Sequence, residues 1–315
     1  MQRPMQHTPV LLEEAVQALK VRPEGIYLDA TYGRGGHTRQ ILSRLGEGGC
    51  LFVLDRDPQA IQVARELQDE RMMVIQENFA HLAPVLQAQG LIGRVDGILF
   101  DLGVSSPQLF DAQRGFSFLH DGPLDMRMDP TQGHSAAEWL NQAPEQAIAD
   151  VLWRFGEERF ARRIAKAIVS YRATQPLTRT HQLAALISAA VPRHEKHKHA
   201  ATRSFQAVRI YINDELAAIQ QALEAALKAL APAGRLVVIS FHSLEDRLVK
   251  QFMRQQSVRA GLPPGLPLTE AECQQRQAAP LLRLFGKQRP SKQEIASNPQ
   301  ARSALLRIAE RCVAP

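Results

Sequence analysis

Asp29-Ala30-Thr31-Tyr32-Gly33-Arg34-Gly35-Gly36-His37 follows directly on the apolar run Ile26-Tyr27-Leu28. Three glycines crowd this turn between an expected strand and an expected helix. Without side chains, the backbone there can pass very close to a ligand. A second apolar run, Cys50-Leu51-Phe52-Val53-Leu54, ends at Asp55. The acid lies roughly twenty residues beyond the turn, the spacing at which a doubly wound α/β domain holds a ribose by its hydroxyls. Turn and acid together imply a pocket for a nucleoside-bearing cofactor.

The surrounding pattern fits such a domain. Short apolar runs occupy residues 26–30, 50–55, 72–76 and 95–101. Helix-like segments, such as Thr38 to Leu45 and Gln59 to Glu70, separate them. This alternation predicts a parallel sheet covered by helices on both faces. The fourth run ends at Asp101, which puts another carboxylate at the strand edge where open α/β sheets bind ligands. Beyond it the alternation stops. Residues 103–133 are rich in Gly, Pro, Ser and Asp and read as a long ordered loop. Residues 136–172, 178–191 and about 204–230 read as helices, the last ended by Pro232 and Gly234. Arg235 to Ser240 is a fifth strand signal that closes on Phe241-His242-Ser243. Residues 257–272 read as an irregular loop, and Ala304 to Ala309 as a final edge strand. The expected architecture is an α/β doubly wound domain, residues 1–105 and 214–315, carrying an inserted helical domain, residues 106–213.

Composition narrows the class. The chain has 315 residues, 45% hydrophobic and 22% charged, as ordinary globular proteins do. No apolar run approaches the roughly 18 residues that span a bilayer, so no membrane partner is expected. Met1 to His7 lacks the apolar core of a secretory signal. Cys50, Cys273 and Cys312 show no metal-like or disulfide-like pairing. A reduced, cytoplasmic protein is the expectation. Lys and Arg number 38 against 32 Asp and Glu, a net charge of +6. The excess favours an anionic partner, nucleic acid first.

Dinucleotide and S-adenosylmethionine sites share the strand, the glycine turn and the acidic strand end. Here an acid, Asp29, precedes the glycines, whereas a nicotinamide site more often opens Gly-x-Gly-x-x-Gly so that a helix N-terminus faces a pyrophosphate. S-adenosylmethionine has no pyrophosphate and carries an ammonium group, which an acid suits. The bland alternative is a tight turn and nothing more.

Longer motifs then carry a resemblance. They are His7-Thr8-Pro9-Val10-Leu11-Leu12, the Asp29 to His37 turn, Asp101-Leu102-Gly103-Val104-Ser105-Ser106 and Gly115-Phe116-Ser117-Phe118. Asp125-Met126-Arg127-Met128, Ser204 to Ile210, and Ser240-Phe241-His242-Ser243-Leu244-Glu245-Asp246-Arg247 complete the set. The chain resembles the bacterial small-subunit ribosomal RNA cytosine-N4 methyltransferases of the RsmH (MraW) family, from His7 to about Arg311. The resemblance implies an S-adenosylmethionine-dependent enzyme of class I methyltransferase (Rossmann-like) fold with an inserted helical domain. It implies a decoding-centre cytosine of 16S rRNA, in the small ribosomal subunit, as substrate. It also carries cofactor contacts onto Gly35, Gly36, His37, Asp55, Phe79, Asp101 and Gln108.

The chemistry asks for a hydrogen-bond acceptor. A sulfonium methyl is already activated, so transfer needs alignment and no metal. Cytosine N4 is a poor nucleophile because its lone pair is delocalised into the ring. An acceptor aimed at the amine localises that pair and receives the proton. Many amino-methyltransferases carry (Asp/Asn/Ser)-Pro-Pro-aromatic at this strand end, but this chain has Asp101-Leu102-Gly103-Val104. Asp101, Ser105, Ser106 and His242 therefore stand together as catalytic candidates. Methylation at cytosine C5 needs a cysteine nucleophile, and no cysteine sits at the fourth or fifth strand end. Phe110, Phe116 and Phe118 could stack on an extruded base or serve as core contacts.

Other signals are weaker. His194, His197 and His199 lie among lysines that would repel a metal cation, so an RNA-contacting or merely solvated loop is expected. Asp121, Asp125 and Asp129 do not follow calcium-loop spacing and fit turn and cap roles. Arg162, Arg163 and Lys166 suit either phosphate or a solvated helix face. Competing functional readings are a related methyltransferase acting on another RNA or on protein, a non-catalytic RNA-binding module that keeps the cofactor as a structural ligand, and a NAD-dependent oxidoreductase. A homodimer stays open.

Overall fold

The computed structural model describes residues 9–192, 199–258 and 279–313. The chain divides into two compact units, Met1–Gly103 with Leu216–Pro315, and Val104–Glu215. No helix among the described residues is long and apolar enough to cross a membrane.

The first unit is a seven-stranded sheet. Its strands are β1 (Ile26–Asp29), β2 (Cys50–Asp55), β3 (Met72–Gln76), β4 (Val95–Asp101), β5 (Leu230–Ser240), β6 (Leu282–Gln288) and β7 (Leu305–Arg311). Their order is β3-β2-β1-β4-β5-β7-β6. β1 to β5 pair in parallel, and β7 runs antiparallel to both β5 and β6. The order reverses between β1 and β4, so the crevice of a doubly wound sheet falls at their C-terminal ends.

Both faces are covered, which explains the nearly unbroken apolar runs of the central strands. Side chains alternate between faces. Leu28, Phe52, Leu54, Ile98, Phe100, Leu236 and Val238 share one core with Leu82 and Leu86 of α4 (Leu82–Ala88) and with Leu223 and Ala226 of α11 (Glu215–Ala229). Leu51, Val53, Leu99, Val237 and Ile239 share the other with α1 (Leu12–Leu19), α2 (Gly36–Leu42) and α3 (Pro58–Glu66), through Val16, Leu19, Ile41, Ala60 and Ala64.

Two sheet expectations need correction. The C-terminal run forms β7, which lies inside the sheet between β5 and β6 and not at its edge. The edge is β6, Leu-Arg-Leu-Phe-Gly-Lys-Gln, which the apolar pattern missed because six of its seven residues are exposed. Arg283 and Lys287 on such an edge discourage pairing with other chains. β5 also starts earlier than Arg235. Leu230 pairs with Val95, then the register shifts before Arg235 meets Gly97, across Ala233 at φ 63°.

The second unit is built from α5 (Ser106–Phe110), α6 (Ala136–Gln142), α7 (Glu145–Gly156), α8 (Ala161–Arg172), α9 (Thr180–Ala190) and α10 (Thr202–Asn213). Leu140, Ile148, Leu152, Ile164, Ile168, Leu183, Ile187, Phe205 and Val208 form its core. The expected helix 136–172 is three helices. Pro144 cannot extend α6, and Glu157 in the left-handed region, φ 50°, caps α7. Gly156 lets α10 approach, since a Cβ there would lie 2.7 Å from the Arg203 carbonyl. The expected helix 204–230 is likewise two, broken at Asp214 with φ 48°. Amphipathic spacing runs through each break, so periodicity alone did not show it.

The expected loop 103–133 contains α5 and a 3-10 turn, Ala112–Arg114. The Arg114 guanidinium, buried, donates to the Met128 carbonyl at 2.8 Å. Asp125 pairs with Arg127 at 2.7 Å, Asp121 with Arg179 at 2.5 Å, and Asp129 accepts from the Thr131 amide at 3.0 Å. Phe116 is buried, while Phe110 is exposed. Phe118 stacks on His199 at 4.5 Å and meets Phe205 edge-on at 5.0 Å. His194, His197, Cys273 and most of the expected loop 257–272 lie outside the described residues.

Asn213 ties this segment to α10. Its Oδ1 accepts from the Met128 amide at 2.8 Å, and its Nδ2 donates to the Met126 carbonyl at 2.7 Å. Met126 sits at φ 63°, a strained value for a side chain of its size. Asn213→Ala strands two buried backbone groups and is expected to cost about 2–4 kcal/mol. Urea unfolding followed by circular dichroism should show the midpoint fall with little change in slope.

Candidate cofactor site

The site begins with the turn after β1. Gly33 and Gly35 adopt φ 56° and 71°, which L side chains rarely tolerate. A Cβ on Gly35 would sit 2.5 Å from the Tyr32 phenol oxygen, and one on Gly36 would sit 2.0 Å from Pro9 Cγ. The turn is therefore closely packed against Tyr32 and Pro9. The Gly33 amide donates to Asp55 Oδ2 at 2.8 Å, which joins the turn to the end of β2. Asp55 Oδ1 accepts from the Asp57 amide at 2.9 Å, and Asp57 in turn caps α3.

Asp29 is held between Thr38 Oγ1 at 2.7 Å and the Thr31 amide at 3.2 Å. Thr31 Oγ1 accepts from the Asp101 amide at 2.6 Å. Asp101 Oδ2 stands 3.6 Å from Nδ1 of the buried His37. Asp101 Oδ1 is shielded from water and has no hydrogen-bond partner among the described residues. The ends of β1, β2 and β4 thus bring Asp29, Asp55 and Asp101 to one edge.

Charge makes this edge distinctive. Burial pushes the carboxyls of Asp29 and Asp55 up to about 6. Burial raises Asp101 well above the ordinary carboxylate range, with further repulsion from Asp29 and Glu245. Mutually repelling acids and an orphaned acceptor oxygen suit a ligand bearing positive charge. S-adenosylmethionine, with its sulfonium and ammonium, fits. The pyrophosphate of a dinucleotide does not.

The remaining expected site residues fall as follows. Phe79 opens a 3-10 turn after β3, with its ring edge-on to Phe100 at 6.0 Å. His242 caps α12 (Ser243–Gln256), and its Nε2 lies 3.1 Å from Oε1 of the fully buried Glu245. Ser105, Ser106 and Gln108 belong to the helical unit. There Gln108 Oε1 accepts from the Ser105 amide at 3.0 Å, and both Ser106 and Gln108 are buried. Residue-by-residue reasoning missed Thr31, Thr38 and Glu245. The His-x-x-Glu capping pattern at α12 was a legible signal for Glu245. Nothing in the spacing marked Thr38.

A doubly wound sheet with a glycine turn and acidic strand ends at its switch point defines a class I S-adenosylmethionine-dependent methyltransferase, and S-adenosylmethionine is the cofactor. The MraW methylase family matches residues 4–312, and the chain belongs to it; this is the RsmH family. Among solved structures the chain is similar to a candidate rRNA methylase from Clostridium thermocellum, at 13% identity and TM-score 0.44, over 97% of this chain and 99% of that one. It is similar to an rRNA methylase from Streptococcus thermophilus at 13% identity and TM-score 0.41, over 98% and 100%. Likenesses this distant carry no argument about activity, and membership rests on the family match.

Two outcomes follow. Gly35→Ala forces a side chain into a left-handed turn against Tyr32, and should weaken S-adenosylhomocysteine binding by about tenfold or more, at a stability cost of about 1–3 kcal/mol. Isothermal calorimetry and thermal melting read the two effects. Asp55 holds its proton more tightly folded than unfolded, so the stability it contributes is present below about pH 4 and is lost as pH rises through about 6. Asp55→Asn lacks this loss. The stability of cofactor-free variant minus wild type should therefore rise between pH 4 and 7, by up to about 3 kcal/mol. A flat difference across urea titrations at several pH values would contradict the assignment.

Proposed function

We propose that this methyltransferase acts in the cytoplasm on 16S rRNA of the small ribosomal subunit, methylating the exocyclic N4 of a decoding-centre cytosine. The observation that carries the reading is Asp101, whose Oδ1 is an unpartnered, shielded acceptor at the end of β4. Burial raises its proton affinity, which suits a group that takes a proton as the new N–C bond forms. Membership of the methylase family and the motif resemblance support the RNA and the base.

When bound, the cofactor supplies a methyl group already activated by its sulfonium. The glycine turn at Gly35 and Gly36 brings backbone amides close to it. Asp55 keeps lone pairs for ribose hydroxyls, with its orientation fixed by the Gly33 and Asp57 amides. His37 supports Asp101 from one side. Phe79 offers an apolar surface for the adenine, and the resemblance adds Gln108 to the cofactor set. His242, Ser105 and Ser106 remain further candidates for contact with the base. Among the described residues no cysteine lies at this edge: Cys50 opens β2 at the opposite end of the strand, and Cys312 follows β7.

Methyl transfer from labelled cofactor should be measured with small subunits, free rRNA and protein, with nucleoside mass spectrometry to identify the product. N4-methylcytidine in RNA is expected; label in protein with none in RNA would refute the proposal. Asp101→Asn should lower turnover by roughly two to four orders of magnitude, as removal of a general base does. Unchanged turnover would remove Asp101 from the site.

A further inference from the structure

The helical unit carries a surface that the cofactor site does not use. Between α7 and α8 lies a cavity of about 500 Å³, lined by Gln146, Asp150, Trp153, Arg159, Arg162 and Arg163 among others. Trp153 is 61% exposed. An indole so exposed contributes little to the core, and singly it would need no explanation. Its neighbours make it unusual. Arg159, Arg162 and Arg163 are all exposed, and none has a hydrogen bond or ion pair among the described residues. Asp150, the acid on the wall, is engaged by Gln146 Nε2 at 2.7 Å. Lys166 follows one turn along α8 and is exposed as well.

This crowding opposes ordinary helix electrostatics. α8 begins at Ala161 with Arg162 and Arg163 in its first turn, no acid there and no side-chain cap, although the buried Glu158 carboxylate accepts from the Phe160 amide just ahead of it. Cations at that end repel both one another and the positive end of the helix dipole. An anion placed among them removes both penalties.

We propose that this groove binds a nucleotide segment of single-stranded RNA, with a base stacked on Trp153 and phosphates held by Arg159, Arg162 and Arg163. The inference rests on the RNA-substrate reading above and adds where the strand is held. Guanidinium forks match phosphate oxygens in two-point contacts. An exposed indole face matches any base, which gives grip without sequence selection. An acidic peptide would satisfy the arginines but would leave the indole face without a stacking partner, so RNA is the occupant that uses both halves of the groove.

The test uses the full chain and a labelled single-stranded ribo-oligonucleotide, with anisotropy read over a range of salt. Wild type is expected to bind. Trp153→Ala should weaken binding about tenfold, while Trp153→Phe, which retains a ring face, keeps most of it. Arg162→Ala with Arg163→Ala should reduce the slope of log K against log salt by about 1.4, the loss of two single-strand phosphate contacts. Affinity for S-adenosylhomocysteine should stay constant in all variants, which separates groove damage from misfolding. The proposal is overturned if wild type fails to bind at low salt, or if the alanine variants bind as wild type does. It is also overturned if polyglutamate competes with RNA and binds Trp153→Ala equally well, because that describes an acidic protein site. Methyl transfer distinguishes the two readings. RNA methylated with unchanged KM by all groove variants, with RNA binding also unchanged, sinks the groove alone. RNA bound through the groove but never methylated sinks the functional reading alone.

Discussion

The hydrogen bond from the Gly33 amide to the Asp55 carboxylate, 2.8 Å long, is the constraint on which the cofactor edge depends. It needs φ 56° at Gly33 and a strand end placed beside the turn. Once formed, it fixes the turn relative to the carboxylate at the end of β2. Asp29 and Asp101 are joined to the same frame through Thr31, whose amide and hydroxyl serve one acid each. The edge is thereby held by short backbone-anchored bonds and not by long flexible side chains, which reduces the entropy lost when a ligand is gripped.

The cost of that frame is stored charge. Three carboxylates crowd one edge, Asp29 buried and Asp55 and Asp101 half-buried, and each is pushed toward its neutral form, first by loss of water. Such an arrangement persists because the surrounding sheet is stable enough to carry it, with cores on both faces. A cationic ligand converts the penalty into affinity. The same logic recurs, with the opposite sign, among the unpaired arginines of α8.

Much of the sheet was legible in the sequence. The runs that became β1, β2 and β4 were continuous and apolar because both faces of these strands are buried; β3, at the sheet edge, is apolar but only partly buried. β6 was invisible for the converse reason: its residues face solvent, and only pairing with β7 makes it a strand. Helix breaks at Pro144, Glu157 and Asp214 were lost because amphipathic spacing continued across them; Pro144 was a legible stop, while at Glu157 and Asp214 the terminating signal lay in single backbone angles. At the cofactor edge the glycines, Asp55 and Asp101 were legible from position alone. Thr31 and Thr38 were not, because a hydroxyl that caps an acid has no distinctive spacing.

By itself, the sequence determined the strand–turn–helix unit and the acids at the strand ends, a pattern dinucleotide and S-adenosylmethionine sites share, while the acid ahead of the glycines and the longer motifs pointed to S-adenosylmethionine. These are local properties, written in glycine's freedom of φ and in where apolar runs stop. Only the tertiary structure decided how Asp29, Asp55 and Asp101 are held together at one edge, that the last strand lies inside the sheet, and that Trp153, Arg159, Arg162 and Arg163 line one cavity. Proximity between distant segments depends on which faces are buried against each other, and no single segment encodes its partner.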